Sequence, residues 1–600
     1  MWQGENLGHS SESFLDRLNI LRFFIFFLLG IIFCRIISLQ IIKGDKYRKI
    51  SNENRIIIYS QPATRGKIFD KNLDIIVDNK PSYVVLFSRQ TMNDEDVKNV
   101  TTKVAQLLSM PEDVLLKKTK TEPRKNFSSI KIAENISKYR AMQIIEKIPQ
   151  LPGITVRAEP VRLYKWGTSA SHITGYVREI SLNELPTHPK LKIGDIVGKN
   201  GVEKQYDEIL RGADGGSQVE VNSRGIQKKI LDSVEPTDGD SIVLTIDKKV
   251  QMALSTQMQG YTGVAIAIDP NTGGILGLVS HPGYDPNLFI SELQNAQIKY
   301  LLKSNKKPLW NRALQGQYSP GSVYKMVTSF AGLENGVITS RTVINCKGFI
   351  ELGKHQQRFH CWAREGHGDM RLVDAIVHSC GVYFYEAGLK LGPVKLNDWA
   401  EKFGFGVKTN IDLPSEEKGF IPDRAWKKAK LQQNWYDGDT VNMSTGQGYI
   451  WTTPIQVAQF ISAIANDGII FQPHILKKII DINGNLKFEN VPKIKRKLDI
   501  KKDYLIIVKK GMTDAVRYGT GVNARVVGLS ISGKTGTAQN PQGIDHAWFV
   551  CFAPSEKPKI ALVIMIEHGG GGGDVAAPIA GKILAEIFEK NTTKSAQKEM

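Results

Sequence analysis

Between Leu21 and Ile42 the chain reads LRFFIFFLLGIIFCRIISLQII, with Arg22 and Arg35 its only charged residues. A helix needs about 20 apolar residues to cross a bilayer, and this run supplies them. No small-residue cleavage site follows the apolar core, so it reads as a retained anchor and not a removed leader. Arg22 and Arg35 sit near its ends, where long side chains reach the headgroups. The competing reading of so apolar a helix is the buried centre of a large domain. Orientation stays open from the residues alone. Arg17 and Arg22 precede the span while Lys43, Lys46, Arg48 and Lys49 follow it, which by flank count keeps the bulk of the chain in the cytoplasm, yet long domains cross largely regardless of charge.

At 600 residues the chain is too long for one core, and two or three domains are expected. A net charge of +19 raises the possibility of nucleic-acid binding. The basic residues are spread along the chain, however, with no zinc finger, basic helix-turn-helix or basic-aromatic motif. A Lys- and Ile-rich composition bias, together with attraction to an anionic membrane or cell-wall polymer, accounts for the charge, and no nucleic-acid partner is expected.

Residues 1–20 read as a short polar tail, 21–42 as the span, 43–237 as one module, 238–590 as another and 591–600 as a disordered tail. The first module mixes strands, turns and charged helices. Arg65-Gly66-Lys67-Ile68-Phe69-Asp70 leads into a turn, Pro152-Gly153 and Gly194-Asp195 punctuate, and no nucleophile-base pair is evident, so it reads as a support. From Asp238 the rhythm changes. Buried-strand runs at Ser241–Ile246, Gly263–Asp269 and Ile275–Val279 are followed by helical segments, including one from Leu372 to Leu389. Strands return at Val526–Ile531, Ala547–Phe552 and Ile560–Ile566, before a helix at Ala577–Phe588. Strands at both ends with helices between predict an α+β domain whose sheet is built from its two termini.

Pro320-Gly321-Ser322-Val323-Tyr324-Lys325 opens an apolar helical run. Ser322 falls in its first turn, where unpaired N–H groups favour an oxyanion, and Lys325 falls on the same face. Ser-x-x-Lys also occurs at Ser128, Ser304 and Ser415, but only Ser322 opens a hydrophobic helix, where burial favours a neutral, basic lysine. The second feature is Ser532-Gly533-Lys534-Thr535-Gly536-Thr537. With Gly528 it matches a phosphate-binding loop in letters, but Leu529–Ser532 continues a strand, and Gly536, Asn540, Pro541 and Gly543 cannot propagate the helix a phosphate would cap. The alternative is an edge strand facing Ser322. Lys534 and Thr535 would then hold a carboxylate, and the Thr537 N–H would join that of Ser322 as an oxyanion hole. The third is Ser379-Cys380-Gly381, in an apolar helical segment, where a hydroxyl can relay a proton.

In this order the three motifs resemble those of the penicilloyl serine transferases, and the single span with a long N-terminal module is similar to the class B penicillin-binding proteins. Arg65-Gly66-x-Ile68-x-Asp70, Gly198-x-x-Gly201-Val202-Glu203, Asp545-His546-Ala547-Trp548-Phe549 and Phe552-Ala553-Pro554 extend the resemblance. Gly175-Tyr176-Val177-x-Glu179-Ile180 and the glycines from Gly569 to Gly573 resemble the elongation-type branch. The resemblance implies a β-lactamase-like transferase domain on a mostly β pedestal, or dimerisation, domain. It places the bulk of the chain in the periplasm, on a single pass through the bacterial inner membrane. It also implies acylation by β-lactams and a partner glycosyltransferase of the shape-elongation-division-sporulation type. In the implied reaction Ser322 attacks the penultimate D-alanine carbonyl of a peptidoglycan stem peptide, releases D-alanine, and passes the acyl group to a neighbouring stem's amine as a 3-4 cross-link. Lys325 is then the base, Ser379 the relay, and Lys534 with Thr535 the carboxylate holder. Gly381 departs from the pattern, which has Asn or Asp there to orient the substrate amide. Rival readings are a β-lactamase or D,D-carboxypeptidase, which pass the acyl group to water, and a non-catalytic scaffold or β-lactam sensor.

Cys346, Cys361 and Cys380, with His367, supply three thiolates and an imidazole, a donor set suited to structural zinc. A disulfide leaving one thiol over is the alternative in an oxidising compartment. The resemblance to elongation-type relatives implies a metal site here, and Cys380 adjoins Ser379, so a metal would steady the relay. Acyl transfer itself calls for no cofactor.

Overall fold

The computed structural model describes residues 10–45, 56–89, 92–120, 130–221, 227–290, 295–541 and 543–589. The expectations for residues 1–9, for the 591–600 tail, for Lys46, Arg48 and Lys49, and for Ser128 fall outside them. A helix runs from Ser10 to Ile37 and continues as a π-helical turn over Ser38–Ile42. It begins ahead of the apolar run, so residues 10–20 are helical. None of the side chains from Arg17 to Ile42 is buried, which excludes the core-helix reading.

The chain forms two compact units. The first comprises residues 1–62, 82–159 and 214–237. In it, Ile56–Gln61, Gly215–Val221 and Gln227–Val234 make an antiparallel sheet. Residues 83–87 pair with Ile130–Ile136, and Val85, Phe87 and Ile132 pack with Val100, Val104 and Leu108 of the helix Asp94–Leu108 and Ile144 of the helix Lys138–Lys147. Asn93 caps the first of these helices by accepting the Asp96 N–H at 2.8 Å, ahead of three acidic residues in its first turn.

The second unit comprises residues 63–81, 160–213 and 238–600. Segments 63–81 and 160–213 are thus compact with the second half of the chain. They meet in a buried ionic cluster. Glu203, fully buried, accepts from Nε of Arg65 and Nε of Arg162, both at 2.6 Å. Arg65 Nη2 also reaches Asp207 at 2.7 Å, and Arg162 Nη1 donates to the Gly66 carbonyl at 2.7 Å. Buried charges persist only when paired in this way. Here they tie together the Arg65-Gly66 and Gly201-Val202-Glu203 motifs.

The central sheet has β1 (Gly263–Ile268), β2 (Ile275–His281), β3 (Ser532–Ala538), β4 (His546–Ala553) and β5 (Ile560–Ile566) in the order β2-β1-β5-β4-β3, all antiparallel. Its strands come from both ends of the domain, as expected. Both faces are covered, so every strand but β3 reads as a mostly apolar run. Trp548, Val550 and Phe552 face one core, shared with the wholly buried helix Pro454–Ala465. Phe549, Cys551 and Ala553 face another, shared with Leu254, Ile583 and Leu584 of the helices Lys248–Gln257 and Ala577–Phe588. One edge is β3, which carries the Lys534 motif.

Two expected elements differ. Val526–Ile531 is not a strand: Gly528 adopts φ +76°, Val526 bridges back to Leu529, and Val527 is fully exposed at the turn. Apolar letters alone cannot tell such a turn from a strand, and the strand begins at Ser532. The Leu372–Leu389 helix is also interrupted. Leu372–Val377 stops, Ser379 takes a left-handed φ of +53°, and a new helix starts at Gly381 that breaks at Gly392 (φ +73°), ahead of Pro393, before helical chain resumes to Lys402. Cys380 caps the new start, its sulfur accepting the Tyr383 N–H at 3.5 Å.

Candidate active site

Ser322 lies in a 3₁₀ turn, Gly321–Tyr324, that runs directly into the α-helix Lys325–Glu334. Nine of that helix's ten residues are buried, and this packing fixes the direction of the turn. Gly321 is required at its place: it adopts φ +54°, and a Cβ there would lie 2.6 Å from the Thr537 carbonyl oxygen on β3. The nucleophile turn and the edge strand are therefore in direct backbone contact.

Lys325 is 3% exposed and Lys534 is completely buried. Their side chains converge on Ser379. Lys325 Nζ donates to the Ser379 carbonyl oxygen at 2.7 Å and to its Oγ at 3.2 Å, while Lys534 Nζ donates to the same Oγ at 2.8 Å and to the Thr535 carbonyl at 2.9 Å. The left-handed backbone at Ser379, between two helices, presents both its carbonyl and its hydroxyl to the lysines. Among the described residues no hydrogen bond joins Lys325 to Ser322. The spacing predicts that contact, and the amine is held by Ser379 instead. Burial is the main force on both amines, since an ammonium loses its hydration there. It pushes Lys325 down to about 8, against the opposing pull of Cys361 and Cys380. Lys534 is held well below its ordinary value by burial and then by the charge of Lys325.

The Thr535 hydroxyl donates to Thr520 Oγ1 at 2.9 Å, and Thr537 Oγ1 accepts the Gly572 N–H at 3.4 Å. Ser322, Lys325, Ser379, Lys534, Thr535 and Thr537 are thus brought into one site along the β3 edge. The phosphate-loop reading fails on its geometry, because Gly533, Lys534 and Thr535 lie within the strand Ser532–Ala538 and no helix follows them. Ser304 to Lys307 and Ser415 to Lys418 lie in irregular chain. At Gly381 a Cβ would meet the Tyr385 ring at 3.2–3.3 Å, so Tyr385, one turn further along the helix, fills the room an Asn or Asp would use.

Two site neighbours escaped the sequence reading. One is Thr520, which lies outside every motif, in the segment ahead of the Lys534 strand. The other is Gln447, whose Nε2 donates to the Thr537 carbonyl at 2.9 Å and whose Oε1 accepts the Gln539 N–H at 3.2 Å. Its flanking Gly446 and Gly448 signal a tight turn but not what that turn touches.

Beside this site, the sulfurs of Cys346, Cys361 and Cys380 and a ring nitrogen of His367 all lie within 4.8 Å of one another. Nδ1 of His367 stands 3.6 Å from both Cys346 Sγ and Cys361 Sγ, and every cysteine is a free thiol. A tetrahedral zinc with about 2.3 Å bonds to sulfur separates its ligands by just under 4 Å, so the four donors fit that ion. The Cys380 thiol and the Gly381 N–H both donate to Cys361, which holds the Cys361 thiol below its ordinary value against the opposing effect of burial.

Residues 263–585 match the family described as the penicillin binding protein transpeptidase domain, more than half of the chain. The chain belongs to this family. The transpeptidase family is one of serine acyltransferases, and residues 60–244 match the penicillin-binding protein dimerisation domain. The peptidoglycan D,D-transpeptidase MrdA of Acinetobacter baumannii is 33% identical over 588 residues, spanning 92% of this chain and 86% of its own length. The penicillin-binding protein (PBP2) of Helicobacter pylori, solved in complex with MreC, superposes with a TM-score of 0.79 at 30% identity, over 89% of this chain and 99% of that one. A chain from a peptidoglycan synthase complex that coordinates polymerization and crosslinking gives 0.72 at 27% identity, over 96% and 99%. The elongation-type penicillin-binding protein expected from the motifs is therefore what the chain is similar to, in fold and along its length.

Proposed function

We propose that this penicillin-binding protein cross-links peptidoglycan stem peptides during cell elongation through an acyl-enzyme on Ser322. The convergence of two buried lysines on the Ser379 hydroxyl carries the reading. Buried amines with lowered proton affinity, next to a serine at the start of a buried helix, are the chemistry of an activated hydroxyl. Lys325, in its neutral form, takes the Ser322 proton as Oγ attacks the penultimate D-alanine carbonyl. The N–H groups of Ser322 and Thr537 hold the oxyanion. Ser379 delivers a proton to the departing D-alanine nitrogen and takes its replacement from Lys325, which holds the proton of Ser322, as the peptide C–N bond breaks. The amine of a second stem then attacks the ester, Ser322 recovers its proton, and the cross-link forms. Lys534 and Thr535 hold the terminal carboxylate, and a β-lactam enters the same acylation without a productive second step.

Residues 43–237 serve as pedestal and 238–590 as the transpeptidase domain, held by the 21–42 helix as a single pass in the bacterial inner membrane with the domains periplasmic. The partner is a polymerising glycosyltransferase of the shape-elongation-division-sporulation type, a reading supported by the synthase complex among the structural relatives. Cys346, Cys361, His367 and Cys380 hold zinc. An ion held there would fix the helix start at Gly381, and with it the Ser379 backbone, and would take no part in acyl transfer.

The test is labelling of the full chain in detergent with a fluorescent penicillin. Wild type labels and Ser322→Ala does not; equal labelling of the two refutes the nucleophile. Supplying stem peptides and an acceptor should then yield cross-linked product. Release of D-alanine without it identifies a carboxypeptidase.

A further inference from the structure

The edge of β3 beside Ser322 is occupied by a side chain. An edge strand offers unpaired C=O and N–H groups that an extended peptide can pair with by adding a strand. The Thr537 carbonyl and the Gln539 N–H are two residues apart and so face the same edge. The Gln447 carboxamide takes both, donating to one and accepting from the other, as the N–H and C=O of one residue of an added strand would.

The backbone under Gln447 is fixed from two sides. Its N–H donates to the Asn442 carbonyl at 2.9 Å, at the end of the helix Asp437–Ser444. The Gly446 carbonyl accepts the Gly321 N–H at 3.0 Å, next to the nucleophile. Gly446 adopts φ +70°, and a Cβ there would come within 2.4 Å of the Gly321 carbonyl, so this turn sits against the nucleophile turn. Thr537 and Gln539 are both exposed, and Gln447 is only half-buried. The side chain can leave while its backbone stays.

The geometry points to Gln447 as a specificity-determining latch: its carboxamide competes with the acyl-donor peptide for the β3 edge, and a donor acylates Ser322 only after its own backbone amide has displaced Gln447 from Thr537. The latch rests on the acyl-transfer reading above. It discriminates by backbone. An acyl donor bearing an amide N–H in extended register replaces the lost hydrogen bonds, whereas an ester or an apolar acyl chain leaves the Thr537 carbonyl unpaired and is rejected.

Full-length chain in detergent is mixed with rising concentrations of fluorescent penicillin, which carries such an acylamino N–H, and both the half-saturating concentration and the limiting acylation rate are read. Gln447→Ala should lower the half-saturating concentration about three- to tenfold, the weight of one net hydrogen bond, with the limiting rate unchanged. Gln447→Glu cannot donate to the Thr537 carbonyl and should shift it in the same direction. Gln447→Met, of similar volume, separates loss of the amide from loss of bulk and should behave as Gln447→Ala. A half-saturating concentration that is unchanged or raised in folded variants, or a limiting rate that falls together with affinity, overturns the latch and makes Gln447 a strut of the site. Absence of wild-type labelling, or labelling of Ser322→Ala, fails the acyl-transfer reading and the latch with it.

Discussion

Replacing Glu203 by Gln tests what holds segments 63–81 and 160–213 in the second unit. The carboxylate is fully buried and receives one guanidinium Nε on each oxygen, both at 2.6 Å. In the amide one oxygen still accepts, but the NH2 group meets the other guanidinium donor to donor. The remaining carboxylate, Asp207, already serves Arg65 and also pairs with Arg211. Breaking a buried pair by removing one partner costs about 3–5 kcal/mol, because the charge left behind stays desolvated. That range is the expected loss at pH 7, measured as the shift in the urea unfolding transition of the full chain in detergent. Acidity supplies a control. Burial alone would favour the neutral acid, but Arg162 and Arg65 outweigh it and hold the carboxyl below its usual range. A depressed carboxyl stabilises the fold above its unfolded value of about 4.3, and loses that contribution as pH falls through the folded value. The gap between wild type and Glu203→Gln should therefore narrow in acid. A loss under about 1 kcal/mol at pH 7, or a gap that stays constant as the wild type is acidified, would refute the reasoning.

Lys325, lowered to about 8 by burial, must be neutral to accept a proton. Its neutral fraction rises from about one tenth at pH 7 to about nine tenths at pH 9, so penicillin acylation should accelerate about tenfold over that interval, and a flat profile would remove Lys325 as the base. Elemental analysis of the purified full chain should find one zinc per chain, with chelation lowering both thermal stability and the acylation rate. Zinc well below one equivalent, together with a disulfide between Cys346 and Cys361, would dismiss the metal site.

The legible parts of the fold were those whose pattern is local. The strands at Gly263, His546 and Ile560 lie in apolar runs of strand length between turn residues, and the helix Ala577–Phe588 was read to the residue. Ser322 and Lys325 were legible because a proline and a glycine precede a continuous apolar helix. The break at Ser379 was not. Apolar periodicity runs through His378-Ser379-Cys380 with no proline, and the left-handed residue is held there by the lysines and helices around it. The same limit hid Gln447 and Thr520, whose partners are 90 and 15 residues away in the chain. The turn at Gly528 shows the reverse error: apolar letters suggested a strand, but Val526 and Leu529 pack on the core from the two sides of a turn whose Val527 is exposed.

The meeting of Lys325 and Lys534 at Ser379 Oγ can also be counted in lone pairs. A hydroxyl oxygen has two, and one proton. Two ammonium or amine donors at 3.2 and 2.8 Å use both. The oxygen has no acceptor capacity left for a third group, and its proton must point away from both nitrogens. Ser379 is thereby polarised in one sense only: whatever shares its hydrogen bond from the open side must be an acceptor. A leaving nitrogen with a free electron pair meets that condition, and an incoming ammonium does not, so the attacking amine has to arrive already stripped of its extra proton.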